Sequence, residues 1–288
     1  MSSLSSRDWA APPRDILVDV FVQLGPLEVM ASADIACAAW RRAALEEPSL
    51  WRRVGMDGEL HLWQRWVRDP EDRCWRRFGI RYETAKRLAA VDRAAGQCEA
   101  FRGPCRDKDL LPLVTRAPSL RSLSIGHHSK RRSGKYLVEA LQKLTLLEDL
   151  EINFKYIIHP DENMLQSICK ACPGLKKLVV KYVSFYDLEC NEDQLDKEPI
   201  DGAIPVMGKL HTLKLCQCDL SEKGLNAILD SCPLLENLYI DGYFDKRRMD
   251  KELRIKCSRV KSLNLNTHKK PDNNSYLGDY LLSDEEEL

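Results

Sequence analysis

The chain has 288 residues, 44 basic and 44 acidic side chains with a formal net charge of zero, and 44% hydrophobic composition. That length holds one substantial core plus a small further domain, and the charge balance speaks against a general binder of nucleic acid or anionic membranes. No apolar run approaches the roughly 18 residues of a membrane span, and the Met1-Ser2-Ser3-Leu4-Ser5-Ser6 start lacks a signal-peptide core, so a soluble chain of cytoplasm or nucleus, without membrane contact, is expected.

Residues 1–8 are polar and are expected to be flexible. The first periodic segment opens on Pro12-Pro13-Arg14-Asp15. Proline costs little at a helix start, where its missing N–H would be unpaired anyway. Ile16, Leu17, Val20, Phe21 and Leu24 then form one apolar stripe at helical spacing. Gly25-Pro26 ends this helix. A second helical stretch from about Leu27 is expected to turn Ile35, Ala36 and Trp40 to the same interior, ahead of Pro48-Ser49-Leu50-Trp51.

Four words occur in order: Trp9 with Pro13 and Asp15-Ile16-Leu17; Leu24-Gly25-Pro26-Leu27-Glu28; Ala36-Cys37-Ala38-Ala39-Trp40-Arg41; and Glu47-Pro48-Ser49-Leu50-Trp51-Arg52. Over residues 9–53 this order resembles an F-box. Pro12 and Ala36 depart from it, standing where the family usually has leucine and valine. Read without the resemblance, the same residues are a helical cap on the rest of the chain. A piece of about 45 residues is small to be stable alone, which suits a module completed by a partner.

Residues 54–94 are expected to be a linker followed by a capping helix from Tyr82 to Ala95. Trp63, Trp66 and Trp75 sit among Arg65, Arg68, Arg73, Arg76 and Arg77, a mixture able to stack on bases and contact phosphate. Asp69, Glu71 and Asp72 dilute that charge, and arginine on tryptophan is a common structural pairing, so a nucleic-acid partner is disfavoured.

From residue 95 to 268 the chain repeats itself. Leu225, Ile228, Leu229 and Cys232 lie on one helix face and lead through Pro233 to alternating Leu238 and Ile240. The same helix–turn–strand word recurs from Leu110, Leu137 and Leu165, and two further strands end Leu213-Lys214-Leu215 and Leu263-Asn264-Leu265. Leu123, Leu150, Leu178, Leu213, Leu238 and Leu263 come at spacings of 27, 28, 35, 25 and 25. One strand and one helix in roughly 20–29 residues is the leucine-rich-repeat range. A single repeat buries too little apolar area to offset ordering its backbone, so the copies must stack, with parallel strands lining a concave side.

The run Leu213-x-Leu215-x-x-Cys218 followed by Leu220-Ser221-Glu222-Lys223-Gly224-Leu225 resembles the cysteine-containing repeat of F-box proteins, although the matching places elsewhere hold His128, Lys155, Val183, Tyr243 and His268. Val91-Asp92-Arg93-Ala94-Ala95-Gly96-Gln97 resembles the stretch that opens the repeats in the plant family, and Ala95, Cys98 and Ala100 suggest a worn first strand.

The whole is similar to plant F-box/LRR proteins. That resemblance implies an α/β leucine-rich-repeat solenoid preceded by a small all-α F-box. It also implies a non-catalytic receptor subunit of an SCF-type ubiquitin ligase, joined through a Skp1-like adaptor to a cullin. Pro13, Ile16, Leu17, Val20, Ile35, Cys37 and Trp40 would then be the positions that dock on Skp1 or build the module. The alternative is a repeat scaffold joining two proteins with no link to ubiquitin, its first helices serving only as a cap.

The substrate surface is expected on the strands' open side, where neighbouring residues alternate between faces. Asp149 and Glu151 form an acidic edge beside Lys177, Lys181 and Lys214, with Tyr239 near them, so a protein of mixed charge fits better than a polyanion. Tyr182, Phe185, Tyr186, Tyr243 and Phe244 stand just beyond the strands, either as a contact rim or as covers over the core edge. The insertion from Asp187 to Asp201 is acidic, and Pro205 is expected to cut short the helix before Leu210. His127, His128 and Lys130-Arg131-Arg132 read as a solvated basic loop, and residues 269–288, ending in Asp284-Glu285-Glu286-Glu287-Leu288, as a disordered acidic tail.

The eleven cysteines are odd in number and several fall on apolar repeat positions, so reduced thiols are expected. Cys169-x-x-Cys172 lacks a second pair at ligand spacing and reads as packing rather than half a zinc site. No histidine cluster or glycine-rich phosphate loop appears. No cofactor, metal or catalytic residue is expected.

Overall fold

The computed structural model describes residues 12–56, 78–128, 135–155, 164–183, 204–216, 218–242 and 244–267. The polar start, the Trp/Arg-rich stretch of residues 63–77, the basic residues 130–132, the acidic insertion of residues 187–201 and the tail of residues 269–288 lie outside the described residues. The strands form one parallel sheet in sequence order. They are β1 (Arg53–Val54), β2 (Ala100–Arg106), β3 (Ser122–His128), β4 (Asp149–Lys155), β5 (Lys177–Val183), β6 (Thr212–Cys216), β7 (Asn237–Gly242) and β8 (Ser262–Thr267). Helices α6 (Asp107–Arg116), α7 (Lys135–Leu141), α8 (Met164–Ala171), α9 (Glu222–Ser231) and α10 (Lys251–Ser258) each follow a strand and precede the next; α7 packs on α6 and α8 on α7, and α10 packs on α9. This is a leucine-rich-repeat solenoid.

The periodic leucines set the register. Leu123, Leu150, Leu178, Leu213, Leu238 and Leu263 stand opposite one another in a single row. Their partners two residues on, Ile125, Ile152, Val180, Leu215, Ile240 and Leu265, form a second buried row. The helix words close the other side of the core: Leu110, Leu113, Val114 and Ala117, and likewise Leu225, Ile228, Leu229 and Cys232, are all buried. Ser221 starts α9 by accepting a hydrogen bond from the Gly224 amide at 3.0 Å.

Just before each strand from β1 to β6, one carbonyl serves two amides of the next repeat. Arg121 O accepts from Glu148 N at 2.8 Å and Asp149 N at 2.9 Å, and Glu148 O accepts from Lys176 N at 2.7 Å and Lys177 N at 3.1 Å. The side chains at this position alternate in sign. Glu148 bridges Lys176 at 2.9 Å and Arg121 at 3.3 Å, and Glu236 meets Lys261 at 2.9 Å. These exposed pairs set repeat-to-repeat register more than they add stability.

Ile204, Met207 and Leu210 are buried ahead of β6 without a helix among the described residues there, as Pro205 led one to expect. The segment is tied down instead by Ser231, whose hydroxyl donates to Ile204 O at 2.9 Å and whose carbonyl accepts from Met207 N at 2.8 Å.

The structure corrects two expectations about the repeats and decides a third point that was left open. The first repeat strand starts at Ala100 rather than Ala95, because Ala95 lies in a left-handed turn at φ 48°. Within that strand, glycine at position 103 makes room for the buried Arg87, whose shaft occupies the space a Cβ would take and whose Nε donates to Arg102 O at 3.1 Å. His127 and His128 belong to β3, not to a loop. Of the two readings left open for Phe244, the structure takes the second: it is buried and covers the core.

The opening helices depart furthest from expectation. α1 (Arg14–Leu24), α2 (Pro26–Glu28), a π-helical turn (Val29–Ala33), α3 (Asp34–Ala36), α4 (Ala38–Leu45) and a 3-10 turn (Pro48–Trp51) lead directly into β1. β1 pairs in parallel with β2, and Arg52 O accepts from Glu99 N at 2.8 Å and Ala100 N at 3.0 Å, which is the same two-amide rung that joins the repeats. One hydrophobic core therefore runs from Leu17 and Phe21 through Trp51 and Phe101 to Leu265. Helix α5 (Phe78–Arg93) reinforces this joint. Its Arg93 lies over the Trp51 ring at 4.7 Å and pairs with Asp34 at 2.6 Å, while the Trp51 indole N–H donates to Ala44 O at 3.0 Å. The helical segment is fused to the solenoid through this shared core.

Candidate partner-binding surfaces

Two surfaces combine exposure with a composition that solvent alone does not call for. The first lies on α1. Its apolar residues do not form one inward stripe, since the structure splits them. Leu17 and Phe21 are 5% and 1% exposed and enter the core, whereas Ile16, Val20 and Leu24 remain 53%, 39% and 38% exposed in a row spaced one turn apart. Phe21 and its edge-on neighbour Trp40, with centroids 5.8 Å apart, supply the inner side, and Trp40 packs against the core only in part.

Of the residues named for this surface, Ile16 and Val20 are in place on it and Pro13 is exposed at the helix start. Ile35 is 79% exposed and Ala36 is exposed beside it, which reverses the expectation that both face the interior. The reversal has a backbone cause: the π-helical turn ahead of α3 changes the helical phase, and the extended Cys37 (φ −162°) then breaks the helix. Cys37 is half-buried and precedes α4 as its N-terminal cap residue. Leu17 builds the module from within and offers no surface.

The second surface is the sheet's open face. Ser124, Glu151, Val179, Lys214, Tyr239 and Asn264 share one rung, and Gly126, Asn153, Lys181, Cys216, Asp241 and Asn266 the next but one. Glu151, Lys177, Lys181, Lys214 and Tyr239 come together with Val179 and Cys216 around a hollow of about 210 Å³. Asp149 lies beside them, opposite Lys177. Tyr182 is on β5, with nothing further described of its side chain, and Phe185, Tyr186 and Tyr243 lie outside the described residues.

Glu151 does not act as a free acidic edge. Lys181 donates to it at 2.7 Å and Arg102 stands 3.8 Å away. Burial pushes its carboxyl up, but the Lys181 hydrogen bond and the charges of Lys181 and Arg102 outweigh burial and hold it below the usual carboxylate range. Arg102 was missed in the sequence because β2 carries no leucine pattern; with β2 in register it falls on the Glu151 rung. Lys214 stands over the Tyr239 ring at 6.0 Å.

The cysteines contribute packing. Cys98, Cys169, Cys172 and Cys232 are buried, and burial pushes each thiol up to about 12, so they stay protonated and unreactive at neutral pH. Among the described residues no three His, Cys, Asp or Glu side chains group to hold a metal ion, and no single helix is long and apolar enough to cross a membrane.

No protein-family model matches the chain. It is similar to putative F-box/LRR-repeat protein 22 of Arabidopsis thaliana, 33% identical over 80% of this chain and 68% of that protein. It is also similar to putative F-box/LRR-repeat protein 9 of the same plant, 30% identical over 81% and 86%. The chain belongs to the F-box/LRR-repeat family. F-box protein SKIP19 of Arabidopsis is 29% identical over 81% of this chain and 68% of its own length. The helices ahead of β1 fall within residues 9–53, the stretch whose word order resembles an F-box, and the strand–helix units are the leucine-rich repeats.

Proposed function

We propose that this F-box/LRR protein is the substrate-receptor subunit of an SCF-type ubiquitin ligase, without catalytic chemistry of its own. The F-box docks on a Skp1-like adaptor and, through it, on a cullin. The open face of the repeats grips a protein substrate. By holding that substrate near the ubiquitin-charged enzyme it raises the effective concentration of the acceptor lysine. Reduced, buried thiols fit a cytoplasmic or nuclear setting.

The observation that carries the reading is the exposed row Ile16, Val20 and Leu24 on a helix whose inner residues Leu17 and Phe21 are already buried in the core. The fused core supports a second reading, in which the helices merely cap the sheet edge. Yet a cap needs only an inner apolar side, and nothing in capping calls for a second, solvent-facing one.

The test is titration of the full chain with purified Skp1. A complex with a dissociation constant on the order of micromolar or tighter is expected, about 8 kcal/mol of binding free energy. No complex at concentrations of tens of micromolar, roughly tenfold above that value, would leave the capping reading in its place.

A further inference from the structure

The chain is neutral as a whole but not from end to end. Residues 14–51, at the β1 edge of the sheet, carry six acids against three bases, and residues 245–261, at the β8 edge, carry eight bases against three acids. A solenoid polarised along its stacking direction attracts further copies of itself, acidic end to basic end.

Each end also has a helix side that its own fold leaves bare. α10 packs on α9, and no helix follows it among the described residues. On its outer side Lys251 and Ile255 stand one turn apart, Lys251 exposed and Ile255 67% exposed. Arg254 ties the preceding 3-10 turn (Lys246–Arg248) to this helix, its Nε donating to Met249 O at 3.2 Å and its Nη2 to Lys246 O at 3.5 Å, so the exposed Arg247 and Arg248 are held near Lys251. At the other end, Asp15, Asp19 and Val22 share one side of α1, next to the Ile16, Val20 and Leu24 row but distinct from it; both acids are exposed and Val22 is 64% exposed. Among the described residues Asp15, Asp19, Arg247 and Lys251 form no ion pair. The two sides match when the helices run parallel. With Val22 laid on Ile255, Asp19 three residues back meets Lys251 four back, and Asp15 seven back comes toward Arg248, likewise seven back. A polyanion would instead meet Asp250 and Glu252 in the basic stretch, where residues 245–261 hold no aromatic side chain on which a base could stack.

We propose that the chain associates with itself end to end, the α10 face of one copy seated on the Asp15, Asp19 and Val22 side of α1 in the next. The contact is heterologous, so each added copy leaves one end open and the assembly grows with concentration instead of closing as a dimer. It is small and carried by exposed charges, which makes it weak and sensitive to salt. It uses neither the Ile16, Val20 and Leu24 row nor the open face of the sheet, so it stands or falls apart from the ubiquitin-ligase reading.

The test is sedimentation velocity on the full chain from about 10 to 500 µM, the range in which a weak contact shows. The mean sedimentation coefficient should rise steadily with concentration at about 50 mM salt and return to the monomer value at about 500 mM. Two double variants reverse the charge of one side each: Asp15→Lys with Asp19→Lys, and Arg247→Glu with Lys251→Glu. Each alone should associate at least about tenfold more weakly, because like charges then face each other. Their melting temperatures should stay within about 2 °C of the parent, since all four side chains are exposed. An equal mixture of the two variants should recover association to within about threefold of the parent, because every acidic side again meets a basic one. The proposal is overturned if either double variant associates as the parent does, if the mixture fails to recover, or if growth stops at a dimer. A full chain that stays monomeric at low salt overturns it too, leaving the basic face to an acidic protein of another kind, or to the chain's own acidic tail if removing residues 268–288 then releases association.

Discussion

Replacing Ile16 and Val20 together with aspartate should weaken Skp1 binding by about 100-fold or more while moving the melting temperature by no more than about 2 °C. Ile16 keeps 53% and Val20 39% of its surface in solvent in the free chain, and neither belongs to the buried core, so the folded state loses only partial contacts when they change. In a complex each would bury its apolar surface at roughly 1.5–3 kcal/mol, and a carboxylate in its place would have to be desolvated instead. Titration with Skp1 and a thermal melt check the two halves of the expectation. Leu17→Asp is the instructive contrast. That position is 5% exposed inside the shared core, so its charge disrupts the fold and any loss of binding would carry no information about docking.

Trp51→Ala should lower stability by about 4 kcal/mol, in the range for removing a fully buried large aromatic. The change leaves a cavity at the joint between the opening helices and the repeats, strips the hydrogen bond to Ala44 O and removes the ring beneath Arg93. With the Arg93–Asp34 pair exposed to water on its vacated side, its contribution falls as well. Calorimetry should show the single melting transition of the whole chain shifted down by about 10 °C. An early separate transition, with the repeats melting at their original temperature, would show that the F-box is an independent unit and that the continuous core is energetically unimportant.

The solenoid was legible in the sequence because its two periods are redundant. Every strand from β3 to β8 repeats a leucine-spaced pair, and α6 to α9 repeat a helix face, so an error in one copy is corrected by the others. β1 and β2 carry no such signal. β1 is two residues long, and β2 runs Ala100-Phe101-Arg102-Gly103-Pro104-Cys105-Arg106, buried on both sides and interrupted by glycine and proline. Their pairing exists because β3 offers an edge and Arg52 a carbonyl, which are tertiary facts.

The exposed apolar row on α1 was half legible. Helical spacing places Ile16, Leu17, Val20, Phe21 and Leu24 on one broad stripe, but periodicity cannot say that only its Leu17–Phe21 half is used by the core. The phase slip at the π-helical turn, which carries Ile35 out to solvent, has no sequence marker at all. On the open face the alternation rule placed the residues correctly, and what it could not give was their pairing. Glu151 looked like an acidic edge until Arg102 and Lys181 were seen to hold it.

Amide hydrogen exchange on the full chain with and without saturating Skp1 tests the docking surface most directly. Exchange of residues 14–24 and 35–37 should slow on complex formation, while the amides of β3 to β8 keep their rates. Unchanged exchange on α1, or protection confined to the open face of the repeats, would contradict docking through the exposed side of the F-box.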